Sequence, residues 1–155
     1  MPKKIQMVEL KSSVSGLIDE GLQELQSLGE EMRSWYDNMP ESFQNGDKGS
    51  MVDESASALE NIATEVDVPE EGDVEVTHTH RPMKRKASRA DRRDHAVGML
   101  TAAKERLEEL RDEQIEAEVD PDDQGVDEVD YDSAIDELDN IIGEAEGVEF
   151  PGMYG

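Results

Sequence analysis

The chain has 155 residues, with 40 Asp and Glu against 15 Lys and Arg, and a formal net charge of -25. Apolar residues make up 35% and charged residues another 35%, so the core is thin, and docking of its parts or self-association is expected to supply some of the stability. Cysteine is absent, which excludes disulfides and thiolate chemistry, and no apolar run approaches the roughly 18 residues of a membrane span.

The start, Met1 to Gln6, is basic but leads into no apolar stretch, so it does not read as a secretory leader. Val14, Ile18, Gly21, Leu25, Leu28, Met32 and Trp35 then recur with gaps of three and four. That spacing puts them on one seam and predicts a helix over 13–37. Gly16, Gly21 and Gly29 each weaken it by about 1 kcal/mol relative to Ala, and Gly21 and Gly29 lie where close helix contact would use them. Pro40, Asn45-Gly46 and Gly49 break the pattern. Ser50, with Asp53 completing a capping box, then opens a shorter helix carrying Met51, Val52, Ala56, Leu59, Ile62 and Ala63.

In the connection that follows, Val74, Val76, His78 and His80 alternate with polar residues, the pattern of a short strand. A lone strand is unstable, so it would need a pairing partner. Ala96, Leu100, Ala103, Leu107 and Leu110, widened by Met99, predict a third helix over 88–118 with Ser88 as its N-cap. Pro121 and Gly125 interrupt, and Ser133 with Asp136 opens a last helix on Ala134, Ile135, Leu138, Ile141, Ile142 and Ala145. Leu59-Glu60-Asn61-Ile62 parallels Leu138-Asp139-Asn140-Ile141, and Val66-Asp67-Val68-Pro69 parallels Val148-Glu149-Phe150-Pro151. The expected fold class is therefore all-α: a duplicated antiparallel helical hairpin (long helix, loop, short helix, twice), as a four-helix bundle or two linked hairpins. Residues 1–69 form the first hairpin, 70–87 a linker with a basic run starting near 81, and 88–155 the second hairpin with an acidic C-terminal half.

Charge is unevenly placed. Arg81, Lys84, Arg85, Lys86, Arg89, Arg92 and Arg93 cluster against the single acid Asp91, while residues 112–155 hold seventeen acids and no Lys or Arg. Such asymmetry concerns partners and solubility rather than fold. The run 81–93 could contact phosphates, but it lacks interleaved aromatics for stacking. Neutralising the chain's own acidic helices is at least as good a reading, so direct nucleic-acid binding is disfavoured.

The stretch Glu30 to Pro40, with Trp35-Tyr36-Asp37-Asn38-Met39-Pro40, and the ending Val148-Glu149-Phe150-Pro151-Gly152-Met153 resemble uncharacterised small acidic proteins of bacteriophage and prophage genomes. The resemblance implies a viral origin and a helical fold, and brings no activity or site residues.

Chemical motifs are few. Asp120, Asp122 and Gln124 with Gly125 resemble the opening of an EF-hand loop, but Tyr131 stands where the bidentate Glu should be. His78 and His80, with Glu75 or His95, are too small a set for a metal site; no cofactor or metal is expected. Tyr36 and Phe43 are candidate contact aromatics beside Trp35 and Met39. Ser88 follows basic residues and could be phosphorylated, though capping explains it more simply. There is no glycine-rich phosphate loop and no recognisable Ser-His pair, so the chain reads as no enzyme. The expected function is a non-catalytic interaction protein that binds a basic, nucleic-acid-binding protein surface, as a DNA mimic or inhibitor of a host protein. Its acidic partner-binding face would comprise Asp120, Asp122, Asp123, Asp127, Glu128, Asp130, Asp132 and Asp136. The alternatives are a virion structural or scaffolding protein that self-associates through helices as a homo-oligomer, and a nucleic-acid accessory protein using 81–93. No membrane partner is expected, and the location is cytoplasmic (the host cytoplasm for a viral protein) or the virion.

Overall fold

The computed structural model describes residues 7–63, 65–80, 88–117 and 129–150. The described residues are mostly helical, with five α-helices and one two-stranded sheet. Strand β1 (Val8–Ser13) leads into α1 (Val14–Asp37), the short α2 (Glu41–Gln44) and α3 (Asp47–Glu60). A 3₁₀ turn (Glu70–Gly72), strand β2 (Glu75–His80), α4 (Arg89–Ala117) and α5 (Asp132–Glu146) follow. No helix among the described residues is long and apolar enough to cross a membrane.

The sheet corrects the all-α expectation. Residues 8–13 pair antiparallel with 75–80, from Val8 opposite His80 to Ser13 opposite Glu75. The alternating Val74–His80 segment thus finds the partner that an isolated strand lacks. The ribbon also ties the segment before α1 to the segment read as a linker. Ser13 then turns the chain into α1, its hydroxyl accepting the Gly16 N–H at 3.0 Å. A second cap comes from far along the chain. The Asp73 carboxylate accepts both the backbone N–H (3.0 Å) and the hydroxyl (2.8 Å) of Ser15, and Val14 N–H donates to Val74 O. These bonds hold the Asp73 carboxyl below its ordinary value, the Ser15 backbone N–H contributing most. Asp73→Ala should therefore cost about 1 kcal/mol. A depressed carboxylate stabilises above its unfolded pKa, so this contribution is complete above about pH 4 and is lost as the pH falls below it. Urea denaturation of wild type and variant at pH 7 and pH 3 checks this, and an equal difference at both would sink it.

Helix α1 is the centre of the molecule, packed against α3 on one side and α4 on the other. Both long-helix glycines on its seam are used as close-contact points. A Cβ on Gly21 would stand 2.9 Å from Leu100 Cγ and 3.1 Å from Ala96 O on α4, and one on Gly29 would stand 3.1 Å from Leu59 Cβ on α3. Helix α5 covers the other side of α4. The core runs through Leu17, Ile18, Leu25, Leu28 and Met32 of α1, Val52, Ala56 and Leu59 of α3, Leu100, Ala103 and Leu107 of α4, and Leu138 and Ile141 of α5.

Both predicted capping boxes on the shorter helices move. Helix α3 begins at Asp47 behind an extended Gly46, leaving Ser50 inside it, and Met51 is exposed. At α5, Asp130 takes the capping role expected of Ser133, accepting the Ser133 N–H (3.2 Å) and hydroxyl (2.6 Å). These bonds lower the Asp130 pKa, the Ser133 hydroxyl contributing most. Ser88 caps α4 as read from the sequence, accepting the Asp91 N–H at 3.0 Å. The two matching tetrapeptides fall differently: Asn61 is the C-cap of α3, whereas Asn140 lies within α5.

Candidate interaction surfaces

Four surface features are candidates: the basic helix start, the acidic face of α5, the aromatic cleft beside Trp35, and the seam where the ribbon meets α4.

The described half of the basic run is turned inward. Arg92 is gripped by Glu24 (2.5 Å) and Glu31 (2.6 Å) of α1. Burial opposes the Arg92 charge, but the hydrogen bonds it donates to these two carboxylates, with their charge, outweigh that and raise its pKa. Arg89 lies 3.8 Å from Glu31 and stacks over the Trp35 ring, 5.1 Å from its centroid. Arg93 donates to Val148 O at 2.7 Å, pairs with Asp94 and sits over Phe150. All three thus join α4 to α1 or to the end of α5. Arg81, Lys84, Arg85 and Lys86 lie outside the described residues.

The acidic face is built on α5. Its inner side is Ala134, Ile135, Leu138, Ile141, Ile142 and Ala145. This 3.6-residue periodicity throws Asp132, Asp136, Glu137, Asp139, Glu144 and Glu146 outward. Of the predicted face residues, Asp136 is simply exposed, Asp130 serves as the cap, and Asp132 is 3.3 Å from Arg111. Lys104 reaches Asp139 at 3.0 Å. Asp120, Asp122, Asp123, Asp127 and Glu128 lie outside the described residues. Glu137, Glu144 and Glu146 were missed, although their positions follow from the same helical period. Tyr131, the twelfth position of the EF-hand-like pattern, is a core residue. It is 7% exposed and packs on Gly72, where a Cβ would meet its ring at 3.1 Å.

The aromatics separate. Tyr36 is half-buried beneath the Arg33 guanidinium, which is itself fixed by Asp53 (2.8 Å) and Glu60 (2.6 Å). Phe43 is 61% exposed. With Trp35, Met39 and Pro40 it lines a cleft of about 660 Å³, flanked by Lys48 and Arg89.

All three histidines meet at the ribbon. His78 and His80, on one face of β2, stack at 5.3 Å, and His80 meets His95 of α4 edge-on at 4.7 Å. Gly98 leaves room for the His78 ring, whose Nε2 is buried without a hydrogen-bond partner. Despite this proximity, no group of three potential ligands among the described residues is arranged to hold a metal. Burial lowers the pKa of His78 most, and charge on His80 and His95 adds to it. His95 is lowered by burial and by His80, against opposing pulls from Glu24 and Glu20. Both imidazoles therefore take up protons less readily folded than unfolded. Their contribution to stability is complete above pH 6.5 and falls as the pH drops below it. The thermal midpoint should fall more between pH 7 and pH 5 in wild type than in His78→Gln; an identical fall would refute this.

Comparison with known proteins adds nothing to this geometry: no protein family, curated protein or solved structure matches the chain.

Proposed function

We propose that the chain is a non-catalytic, phage-encoded acidic interaction protein. It docks on a basic protein surface, as a mimic of nucleic acid or an inhibitor of a host nucleic-acid-binding protein. The observation that supports this most is the outer face of α5. Six carboxylates project from one amphipathic helix, in a stretch of 44 residues (112–155) with no Lys or Arg. Among the described residues, Lys104 and Arg111 of α4 pair with two of these acids, Asp139 and Asp132. Positions 132 to 146 span about 21 Å of helix at 1.5 Å per residue, so the acids form a rigid array of charge that needs little ordering on binding. Arg92 of α4 is turned the other way and held by Glu24 and Glu31 of α1. Association would be fast and salt-dependent.

The supporting architecture is proposed as two copies of a helical hairpin. Their sequence matches at 59–62 and 138–141 and at 66–69 and 148–151 motivate this. Ion pairs also step in opposite directions along α4 and α5, from Arg111 with Asp132 to Lys104 with Asp139.

The test is an affinity pull-down from nuclease-treated bacterial lysate with wild type and with the Asp136→Lys, Glu137→Lys, Glu144→Lys variant. These exposed sites tolerate substitution at about 0.5 kcal/mol each, so lost binding reports the face and not unfolding. A nucleic-acid-handling protein retained by wild type, released by salt and lost by the variant is the expected result. Equal retention by both would remove α5 as the docking face.

A further inference from the structure

We propose that the Trp35–Phe43 cleft receives the exposed C-terminal end of α4 from a second copy of this chain, giving head-to-tail association. This goes beyond the docking of a foreign basic protein on α5 and does not depend on it.

The cleft combines an unusual set of features for so acidic a molecule. Its floor and wall are apolar, with Trp35, Met39, Pro40 and a Phe43 ring that is 61% exposed. Two cations, Lys48 and Arg89, and one acid, Glu31, also line it. Lys48 stands 5.8 Å and Arg89 5.1 Å from the Trp35 ring centroid. The Nε of Arg89 is buried yet makes no hydrogen bond, with Glu31 standing off at 3.8 Å and already committed to Arg92. An occupant should therefore bring carboxylates and one bulky apolar side chain.

The far end of α4 offers that combination. Ile115 is 58% exposed, and Asp112, Glu113 and Glu116 around it are all exposed. An apolar anchor flanked by three acids complements an apolar cleft lined by two cations and one acid. The two cannot meet within one molecule. Arg89 and Ile115 lie on the same helix, about 39 Å apart at 1.5 Å per residue. The contact is thus heterologous, and a pair of copies keeps one free cleft, on one copy, and one free helix end, on the other. Ion pairs made in contact persist at physiological salt, where a screening length of about 8 Å damps repulsion between the remaining acids of the two copies.

Sedimentation velocity of the full chain over a concentration series at about 0.15 M salt tests this, with emission of the sole tryptophan reporting the cleft. Phe43→Ser blocks the cleft and Ile115→Lys blocks the helix end. Both sites are exposed, and circular dichroism verifies the fold. Wild type should associate with rising concentration while its Trp35 emission shifts, and each variant alone should stay monomeric. Mixing the two variants should restore a 1:1 dimer, because each retains one intact half of the contact. The proposal is overturned by a monomer at every concentration, by association that survives either substitution, or by variants that fail to dimerise on mixing. A monomer whose Trp35 emission responds to poly-glutamate would assign the cleft to another acidic partner, and would likewise overturn self-assembly.

Discussion

Leu100→Ala should lower the unfolding free energy by about 2–5 kcal/mol. Leu100 is fully buried at the crossing of α1 and α4, against the spot where Gly21 has no side chain. Truncation removes apolar burial and leaves a cavity that two rigid helices close only in part. In a thin-cored chain whose total stability is expected near the lower end of about 5–15 kcal/mol, this is a large fraction. Urea denaturation with an unchanged slope would show it as a shifted midpoint. The Gly21→Ala change supplies an internal control. Alone, its helix-propensity gain of about 1 kcal/mol is opposed by a methyl 2.9 Å from Leu100 Cγ and 3.1 Å from Ala96 O. With Leu100 already Ala, the first clash vanishes, so Gly21→Ala should be more favourable in that background. A double-mutant cycle with no coupling would mean that the two helices do not meet at this point.

Gly49→Ala should destabilise by about 1–3 kcal/mol, against the helix-propensity expectation. Gly49 sits in the first turn of α3, where the chain doubles back over α2. A Cβ there would run into the carbonyl oxygens of Phe43 and Gln44 and lie 2.6 Å from Gln44 Cα. Backbone atoms cannot swing aside as a side-chain tip does, so the corner itself must shift. Because Phe43 and Lys48 belong to this corner and line the Trp35 cleft, Trp35 emission should move with it. Gly143→Ala provides the contrast. A Cβ at Gly143 meets nothing within 4 Å, so that change should stabilise by about 1 kcal/mol. Gly49→Ala stabilising to the same degree would refute the close approach.

Much of the helical layout was legible from periodicity. Spacing over 13–37 and 88–118 anticipated α1 (Val14–Asp37) and α4 (Arg89–Ala117) to within a residue, because long apolar stripes at 3.6-residue spacing have few other ways to be buried. Other features were not legible. The partner of β2 is a segment more than sixty residues earlier, and Val8–Ser13 carries only a weak alternating pattern. Ser50 and Ser133 fitted the local chemistry of a cap, but Gly46 and Asp130 were better placed once the turns formed. Leu17, off the seven-residue seam, is buried because α1 has two covered sides rather than one.

For the surfaces, the sequence by itself determined composition: net charge, a basic run, an acid-only end, one tryptophan and three histidines. It also determined which α5 residues face outward, since inner and outer positions follow from helical geometry. The tertiary structure decided which charges are engaged within the chain. Arg89, Arg92 and Arg93 look like one basic patch in sequence, yet α1 and the end of α5 engage them. Likewise, His78, His80 and His95 became neighbours only when β2 packed on α4. The physical reason is the same in each case. Backbone periodicity is local, whereas an ion pair or ring contact depends on which helices touch, and that is set by core packing across the whole chain.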